Sequence, residues 1–124
     1  MLLDDDIQVV GEASDGDMAL QLARELSPRV VLTDVNLPGM NGLQLVQRIR
    51  KEVPGVRAVV LTAYDDEEQL YHAIRSGAHA YFSKEVSPAR IVQVVRQVSQ
   101  GQYVVGDTVL DEEEIAPWRL RASE

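Results

Sequence analysis

The stretch "VVLTDVNLPGMNG", residues 30–42, decides how the chain folds. Its first three residues are a continuous aliphatic run, which is typical of a β-strand covered on both faces. The run leads to Asp34, and a loop rich in proline and glycine follows. The stretch therefore predicts a buried strand that carries one carboxylate to its end.

Short aliphatic runs and helical patterns alternate on both sides of this stretch. Strands are predicted at residues 7–10, 30–32, 56–61 and 80–82. Apolar residues at helical spacing predict helices around residues 19–26, 46–53, 70–74 and 91–98, the last capped by Ser87 with Pro88 at its first position. Strands that alternate with helices imply βαβ crossovers, and hence a parallel sheet with helices on both faces.

The alternating pattern ends at Gly101. Residues 102–109, "QYVVGDTV", fit a strand or an extended linker, and the segment that starts at residue 111 fits a tail or a helix cut by Pro117. We therefore predict a domain over residues 1–101. Residues 102–124 are predicted to be a linker or tail, with an extra strand and helix as an alternative.

Composition excludes several classes of function. The 124 residues carry a formal net charge of -8, whereas a nucleic-acid footprint needs clustered Lys and Arg, so no direct nucleic-acid binding is expected. The chain has no cysteine, which excludes disulfides and thiolate zinc sites. No apolar run approaches the roughly 18 residues of a membrane helix. These features predict a cytoplasmic protein without a membrane partner.

Three polar residues each follow a different predicted strand: Asp34, Thr62 and Lys84. Because ligands gather beyond the carboxyl ends of the strands in an open parallel sheet, we expect these side chains to meet at one edge. A carboxylate, a hydroxyl and an ammonium together suit a phosphoryl group, with Asp34 as the nucleophile. Taken singly, each could instead be a loop cap or a solvated residue at a strand end.

The chain resembles the receiver domain of two-component response regulators. The matching motifs are "VVLTDVNLPGMNG" around Asp34, "AVVLTAY" around Thr62 and "GAHAYFSK" ending at Lys84. "VVGEASDG", "LTAYDDEE" and "SKEVSP" are most similar to the branch whose receivers precede a LuxR-type helix-turn-helix domain. The resemblance covers about residues 1–101 and implies a flavodoxin-like α/β fold.

The resemblance also implies a role for each motif residue. Asp34 would take a phosphoryl group from a sensor histidine kinase, with Mg²⁺ held by its side chain and by the backbone carbonyl of Asn36. Lys84 would pair with the phosphoryl group, Thr62 would move to hydrogen-bond it, and Tyr81 would turn inward behind it. The residues that would shape the loop are Pro38, Gly39 and Gly42.

The beginning of the chain departs from the family pattern. Receivers start with a central strand that ends in an acidic pair, and this pair completes the magnesium site. This chain resembles the family only from the end of the first helix onward. We therefore expect a receiver without its usual first strand and most of its first helix, and weakened Mg²⁺ binding. Met1 could equally be an internal methionine of a longer receiver.

Loss of a central strand would remove about 6–15 kcal/mol of apolar burial, comparable to the stability of a whole domain. Three repairs are conceivable. Residues 102–105 could fill the gap, a second chain could cover it, or the elements could rearrange. We expect a homodimer or a swapped oligomer, because open strand edges promote association.

The sequence leaves three functions open. The first is a phosphoacceptor receiver, a signalling switch rather than a turnover enzyme, with a transcriptional output. The second is a receiver-derived interaction or dimerisation module that works without phosphorylation. A small flavin-binding or hydrolytic α/β enzyme is the third, although the chain has no glycine-rich phosphate loop and no Ser/His/Asp set.

Overall fold

A computed structural model describes residues 10–35, 40–62, 67–83, 85–106 and 108–122. The strands are β1 (Val30–Asp34), β2 (Arg57–Thr62), β3 (Ala80–Ser83), β4 (Tyr103–Val105) and β5 (Thr108–Leu110). The helices are α1 (Gly16–Leu26), α2 (Gly42–Glu52), α3 (Glu67–Ser76), α4 (Pro88–Ser99) and α5 (Glu112–Ala122). The strand predicted at residues 7–10 lies outside the described residues except for Val10, which is exposed and not in a strand.

The strands form one sheet in the order β1-β2-β3-β4-β5. Strands β1 to β4 run parallel, and β5 pairs antiparallel with β4. Helix α4 packs Val94 and Val98 on one face of the sheet, against Val59 and Phe82. Helices α2 and α3 cover the other face. The predicted flavodoxin-like α/β architecture is therefore confirmed.

Local signals in the sequence account for the helix ends. The Ser87 side chain accepts a hydrogen bond from the backbone of Arg90, and Pro88 opens α4, as predicted. Asn41 caps α2 in a reciprocal pair with Gln44. These caps place the first turns of α2 and α4 directly after the loops that leave the sheet.

Strand β4 lies on the far side of the sheet from β1. It pairs with β3, where the Val104 amide donates to the His79 carbonyl at 3.0 Å and the Gly106 amide donates to the Tyr81 carbonyl at 2.9 Å. The conceivable repair in which residues 102–105 fill a gap beside β1 is therefore wrong. Within the described part of the chain, β1 has β2 as its single paired neighbour.

The segment after Gly101 forms the β4–β5 hairpin and α5, and it packs on α3. The Tyr103 hydroxyl donates to the Glu112 carboxylate at 2.6 Å. The buried residues that join the segment to α3 are Ile74, Tyr103, Val105, Leu110 and Ile115. Helix α5 continues through Pro117, because Ile115 anchors its first half in this cluster. The sequence left open a linker or tail, or an extra strand and helix, for residues 102–124. The described residues of this segment form two strands and a helix.

Glu52 joins the ends of α1 and α2. Its carboxylate is in an ion pair with Arg24 and accepts a hydrogen bond from Nε of Arg48 at 2.7 Å. The hydrogen bond from Arg24 is the largest cause that holds the pKa of Glu52 below its ordinary value of 4.5, and that from Arg48 is the next. A carboxyl group with a lowered folded-state pKa stabilises the fold at neutral pH, and this contribution is lost as the pH falls through that pKa.

We therefore expect Glu52→Gln to lower the free energy of unfolding at neutral pH. The difference from the unmodified chain should shrink once the pH falls below about 4.5. Urea unfolding across a pH series measures this difference in the free energy of unfolding. The control is Glu12→Gln, at an exposed position. A Glu52→Gln difference that stays constant from neutral to acidic pH would contradict the ion-pair explanation.

Candidate functional site

The carboxyl ends of β1, β2 and β3 lie next to one another at one edge of the sheet. In the parallel register Asp34 is level with Leu61, and Thr62 is level with Ser83. Adjacent strands are about 4.8 Å apart. The backbones of Asp34 and Thr62 are therefore on neighbouring strands, one residue position apart along them.

Backbone hydrogen bonds hold Asp34 in place at the end of β1. The Val35 amide donates to the Leu61 carbonyl at 3.0 Å, which extends the pairing with β2 one residue past Asp34. The hydroxyl of the buried Thr33 donates to the Asp34 carbonyl, also at 3.0 Å. The Asp34 side chain is half-buried. The carboxylate thus sits on a hydrogen-bonded strand end and is partly exposed.

Gly42, the first residue of α2, packs against the backbone of Asp34. Its amide donates to the Val35 carbonyl at 2.6 Å, and a Cβ atom at this position would lie 2.0 Å from the Asp34 carbonyl oxygen. Only glycine allows so close a backbone approach. The start of α2 therefore lies directly against the end of β1.

Thr62 and Tyr81 are both buried behind this edge. Thr62 is 3% exposed and Tyr81 is 1% exposed. Tyr81 is level with Val60 in the register and packs in the core cluster between the sheet and helices α2 and α3, together with Ala73. Its carbonyl accepts the hydrogen bond from the Gly106 amide, which directly follows β4 at the turn of the hairpin. Tyr81 thus connects the core beneath the edge to the segment that ends in α5.

Four of the residues singled out from the sequence lie outside the described residues: Asn36, Pro38, Gly39 and Lys84. Ser83 is the last described residue before Lys84, at the end of β3. The sequence placed four predicted site residues in strands or at their ends. The structure describes three of them: Asp34, Thr62 and Tyr81.

A Mg²⁺ ion needs oxygen ligands, usually one or two carboxylates together with phosphate and water. Asp34 offers one carboxylate at the edge of the sheet. Among the residues whose positions are described, no group of three His, Cys, Asp or Glu side chains converges. The described donors therefore fit a Mg²⁺ site only in part: Asp34 supplies a carboxylate, and no cluster of three such side chains lies among the described residues.

Sequence reasoning missed the contacts that support the site. Thr33 and Gly42 hold the Asp34 backbone through hydrogen bonding and close packing, yet Thr33 reads as an ordinary strand residue. His79 is half-buried, accepts a hydrogen bond from the Ala58 amide on Nδ1, and stacks on Tyr103 with the ring centroids 5.3 Å apart. The two contacts of His79 join residues far apart in the chain, so no local pattern could indicate them.

The fold and the strand-end carboxylate define a flavodoxin-like α/β protein with an acidic site at the carboxyl edge of its sheet. Residues 1–96 match the model of the response regulator receiver domain. The chain belongs to the response regulator receiver domain family. Response regulators are regulatory proteins of two-component signalling rather than conventional enzymes.

Curated relatives are response regulators and transcriptional regulatory proteins. The nitrate/nitrite response regulator protein NarL of Escherichia coli K12 is 36% identical over 104 residues, which cover 84% of this chain and 48% of NarL. The transcriptional regulatory protein LiaR of Bacillus subtilis is 39% identical over 97 residues, which cover 78% of this chain and 46% of LiaR. The chain thus spans about half the length of the curated relatives it matches.

The fold of this chain is similar to solved structures of the family. The receiver domain of the putative response regulator NarL from Mycobacterium tuberculosis aligns with a TM-score of 0.73 and 34% identity, over 76% of each chain. A LuxR-family response regulator from Aurantimonas sp. SI85-9A1 aligns with a TM-score of 0.73 and 30% identity, over 90% of this chain and 79% of that chain. The described helices reveal no segment long and apolar enough to cross a membrane.

Proposed function

We propose that this chain is a phosphoacceptor receiver. Asp34 takes a phosphoryl group from the phosphohistidine of a sensor histidine kinase, and the change is passed to a downstream transcriptional output. The observation that carries this proposal is the position of Asp34, a half-buried carboxylate at the carboxyl end of β1 beside the end of β2, in a chain of the receiver family. In this role the chain is a switch rather than a turnover enzyme.

The transfer is a displacement at phosphorus. A carboxylate oxygen of Asp34 forms the new P–O bond while the P–N bond to the kinase histidine breaks, and the electron pair of that bond stays on the imidazole nitrogen. The Asp34 side chain and the Asn36 carbonyl would hold a Mg²⁺ ion, which would neutralise negative charge on the phosphoryl group. Lys84 pairs with the phosphoryl group, and Thr62 hydrogen-bonds one of its oxygens.

The signal leaves the site through Thr62 and Tyr81. Phosphorylation adds negative charge and acceptor oxygens at Asp34, and this local change biases the conformation of the surrounding elements. Tyr81 is buried against α3, and its carbonyl binds the hairpin through Gly106. A movement of Tyr81 would therefore reach α3 and the segment that ends in α5.

A second function remains a candidate because the described residues contain no cluster of three His, Cys, Asp or Glu side chains that could hold a metal ion. In this alternative the chain is an interaction or dimerisation module whose partner binding does not depend on phosphorylation. Both candidates are compatible with a homodimer, and both keep the chain free of direct nucleic-acid contact because of its net charge of -8.

The proposal predicts that Asp34→Asn abolishes phosphorylation. Incubation of the unmodified chain with Mg²⁺ and a small-molecule phosphodonor should add the mass of one phosphoryl group, measured by intact-protein mass spectrometry at neutral pH. The adduct should be absent from Asp34→Asn and present in Asp17→Asn, which removes an exposed carboxylate from α1. Omission of Mg²⁺ should reduce the adduct.

The same experiment separates the two candidates. If the unmodified chain gains no mass with any phosphodonor, while a purified partner binds the unmodified chain and Asp34→Asn equally, the phosphorylation-independent module is favoured. An adduct that persists in Asp34→Asn would show that another residue is the acceptor, and it would contradict the role of Asp34.

A further inference from the structure

His79, the residue that precedes β3, completes the hydrogen bonding of Ala58 in β2. The Ala58 carbonyl accepts from the His79 amide at 2.8 Å, and the Ala58 amide donates to Nδ1 of the His79 ring at 3.3 Å. Ala58 is 2% exposed, so water has little access to this amide, and a buried amide without an acceptor is costly. The imidazole thus takes the place of a backbone carbonyl at the amino end of the pairing between β2 and β3.

This hydrogen bond selects one protonation state of the ring. A nitrogen atom of imidazole accepts a hydrogen bond only when it carries no proton, so this arrangement requires a neutral His79 with its proton on Nε2. A second proton would go to Nδ1, which would then face the Ala58 amide as one donor faces another. The hydrogen bond to Ala58 and the imidazolium form of His79 therefore exclude each other.

The same ring supports the segment after Gly101. It stacks on Tyr103 of β4, with the ring centroids 5.3 Å apart and the ring planes 13° apart. The Tyr103 hydroxyl donates to the Glu112 carboxylate at the start of α5, and Tyr103 also packs with Ile115 of that helix. The orientation of the His79 ring is therefore coupled to the docking of the β4–β5 hairpin and α5.

The cleft that His79 lines holds one charge of each sign among the described residues. Arg50 of α2 and Glu112 of α5 line it, and Cδ of Arg50 lies 2.5 Å from where a Cβ atom of Gly77 would be. The residues that β2 and the end of α3 contribute to the cleft are not titratable. The Glu112 carboxylate already accepts from the Tyr103 hydroxyl, and Arg50 offsets its charge. The charges of the cleft therefore do not compensate an imidazolium for the lost hydrogen bond.

We propose that His79 is a pH-sensitive latch for the segment after Gly101. When the ring takes up a proton from solvent, the hydrogen bond from Ala58 is lost, the ring leaves its stacked position on Tyr103, and the equilibrium shifts toward a segment undocked from α3. Undocking uncovers Ile74 and the outer side of β3. The latch goes beyond the proposed phosphoryl transfer and does not depend on it.

Acid should weaken the docking. In the undocked form the His79 ring is in water and takes up a proton near the ordinary histidine pKa of about 6.5, whereas the docked form keeps the ring neutral. The undocked form therefore binds more protons, and docking becomes less favourable as the pH falls. Between about pH 7.5 and pH 5.5 the undocked population should rise about tenfold. The loss of the Glu52 contribution belongs to a lower pH range, below about 4.5.

Hydrogen exchange followed by mass spectrometry tests the latch on the unphosphorylated full chain. After correction for the intrinsic pH dependence of exchange, peptides from β4 to the first half of α5 should lose protection about tenfold between the two pH values. Peptides from β2 should stay protected. The matched control is His72→Gln, which removes the other histidine of the chain at an exposed position of α3 and should keep the full pH response.

Two variants of His79 separate the hydrogen bond from the ring. His79→Asn places an amide oxygen near the position of Nδ1 and has no group that titrates in this range, so the protection of the segment should become independent of pH. His79→Phe keeps an aromatic ring for Tyr103 but offers Ala58 no acceptor. Its segment should be as weakly protected at the higher pH as that of the unmodified chain at the lower pH.

The ¹⁵N chemical shifts of the His79 ring report its protonation state directly, also if a His79 variant fails to fold. At the higher pH Nδ1 should carry no proton and Nε2 should carry one, and the opposite tautomer overturns the proposal. So does protection of the segment that is equal at both pH values or that rises in acid, as an ion pair between His79 and Glu112 would cause. Protection that falls equally in His79→Asn would make a carboxyl group the titrating residue, and a response lost in His72→Gln would make it His72. Either result overturns the latch.

Discussion

Replacement of Gly42 with alanine should lower the free energy of unfolding by about 3 kcal/mol or more. The new Cβ atom would lie 2.0 Å from the carbonyl oxygen of Asp34, 2.9 Å from its carbonyl carbon and 3.0 Å from Cα of Val35. All three atoms are backbone, so no side chain can rotate to relieve the clash. Either α2 or the end of β1 must move. Urea unfolding followed by circular dichroism measures the loss.

The control for this variant is Gly55→Ala. A Cβ atom at Gly55 would meet nothing within 4 Å, and the same substitution there should change stability by less than about 1 kcal/mol. The Gly42→Ala variant should also lose the proposed phosphorylation of Asp34 under conditions where it remains folded, because the clash moves the Asp34 backbone. A Gly42→Ala variant as stable as Gly55→Ala would contradict the close packing of Gly42 on the Asp34 backbone.

Replacement of Ile115 with alanine should cost about 2–5 kcal/mol. Ile115 is 1% exposed and packs with Ile74 of α3 and Tyr103 of β4 in the cluster that attaches α5. The truncation removes three buried carbon atoms and leaves a cavity that the surrounding strands cannot fill. Because the cluster includes α3, the expected result is a lower midpoint of the single cooperative unfolding transition of the whole chain.

Glu113→Ala is the control, since it truncates an exposed side chain in the same helix. It should change stability by less than about 0.5 kcal/mol. The pair also tests the predicted division of the chain near Gly101. If α5 is a separable tail, Ile115→Ala will leave the main transition unchanged and will increase only amide exchange within α5.

Much of the fold was predictable because its signals are local. Ser87 and Pro88 predicted the start of α4, and the aliphatic run that begins at Val30 predicted β1. Each of these patterns depends on a few neighbouring residues, whose capping or burial preference the rest of the chain does not override. The alternation of such patterns was enough to predict a parallel sheet with helices on both faces.

The elements after Gly101 could not be decided in this way. Residues "YVV" fit a strand or a linker equally, and their state depends on whether the edge of β3 is free to pair. Helix α5 contains Pro117, which argues locally against a helix, yet the burial of Ile115 against α3 outweighs this preference. Both outcomes come from contacts between residues distant in the chain.

The candidate site divides in the same manner. The sequence by itself determined which chemical groups follow the strands, because a carboxylate after one aliphatic run and a hydroxyl after another are visible in the order of residues. Only the tertiary structure decided that Asp34 and Thr62 end neighbouring strands, that Gly42 packs on the Asp34 backbone, and that β4 pairs with β3 and not with β1. The physical reason is that strand order and close packing are set by the free energy of the whole folded chain, to which distant residues contribute as much as adjacent ones.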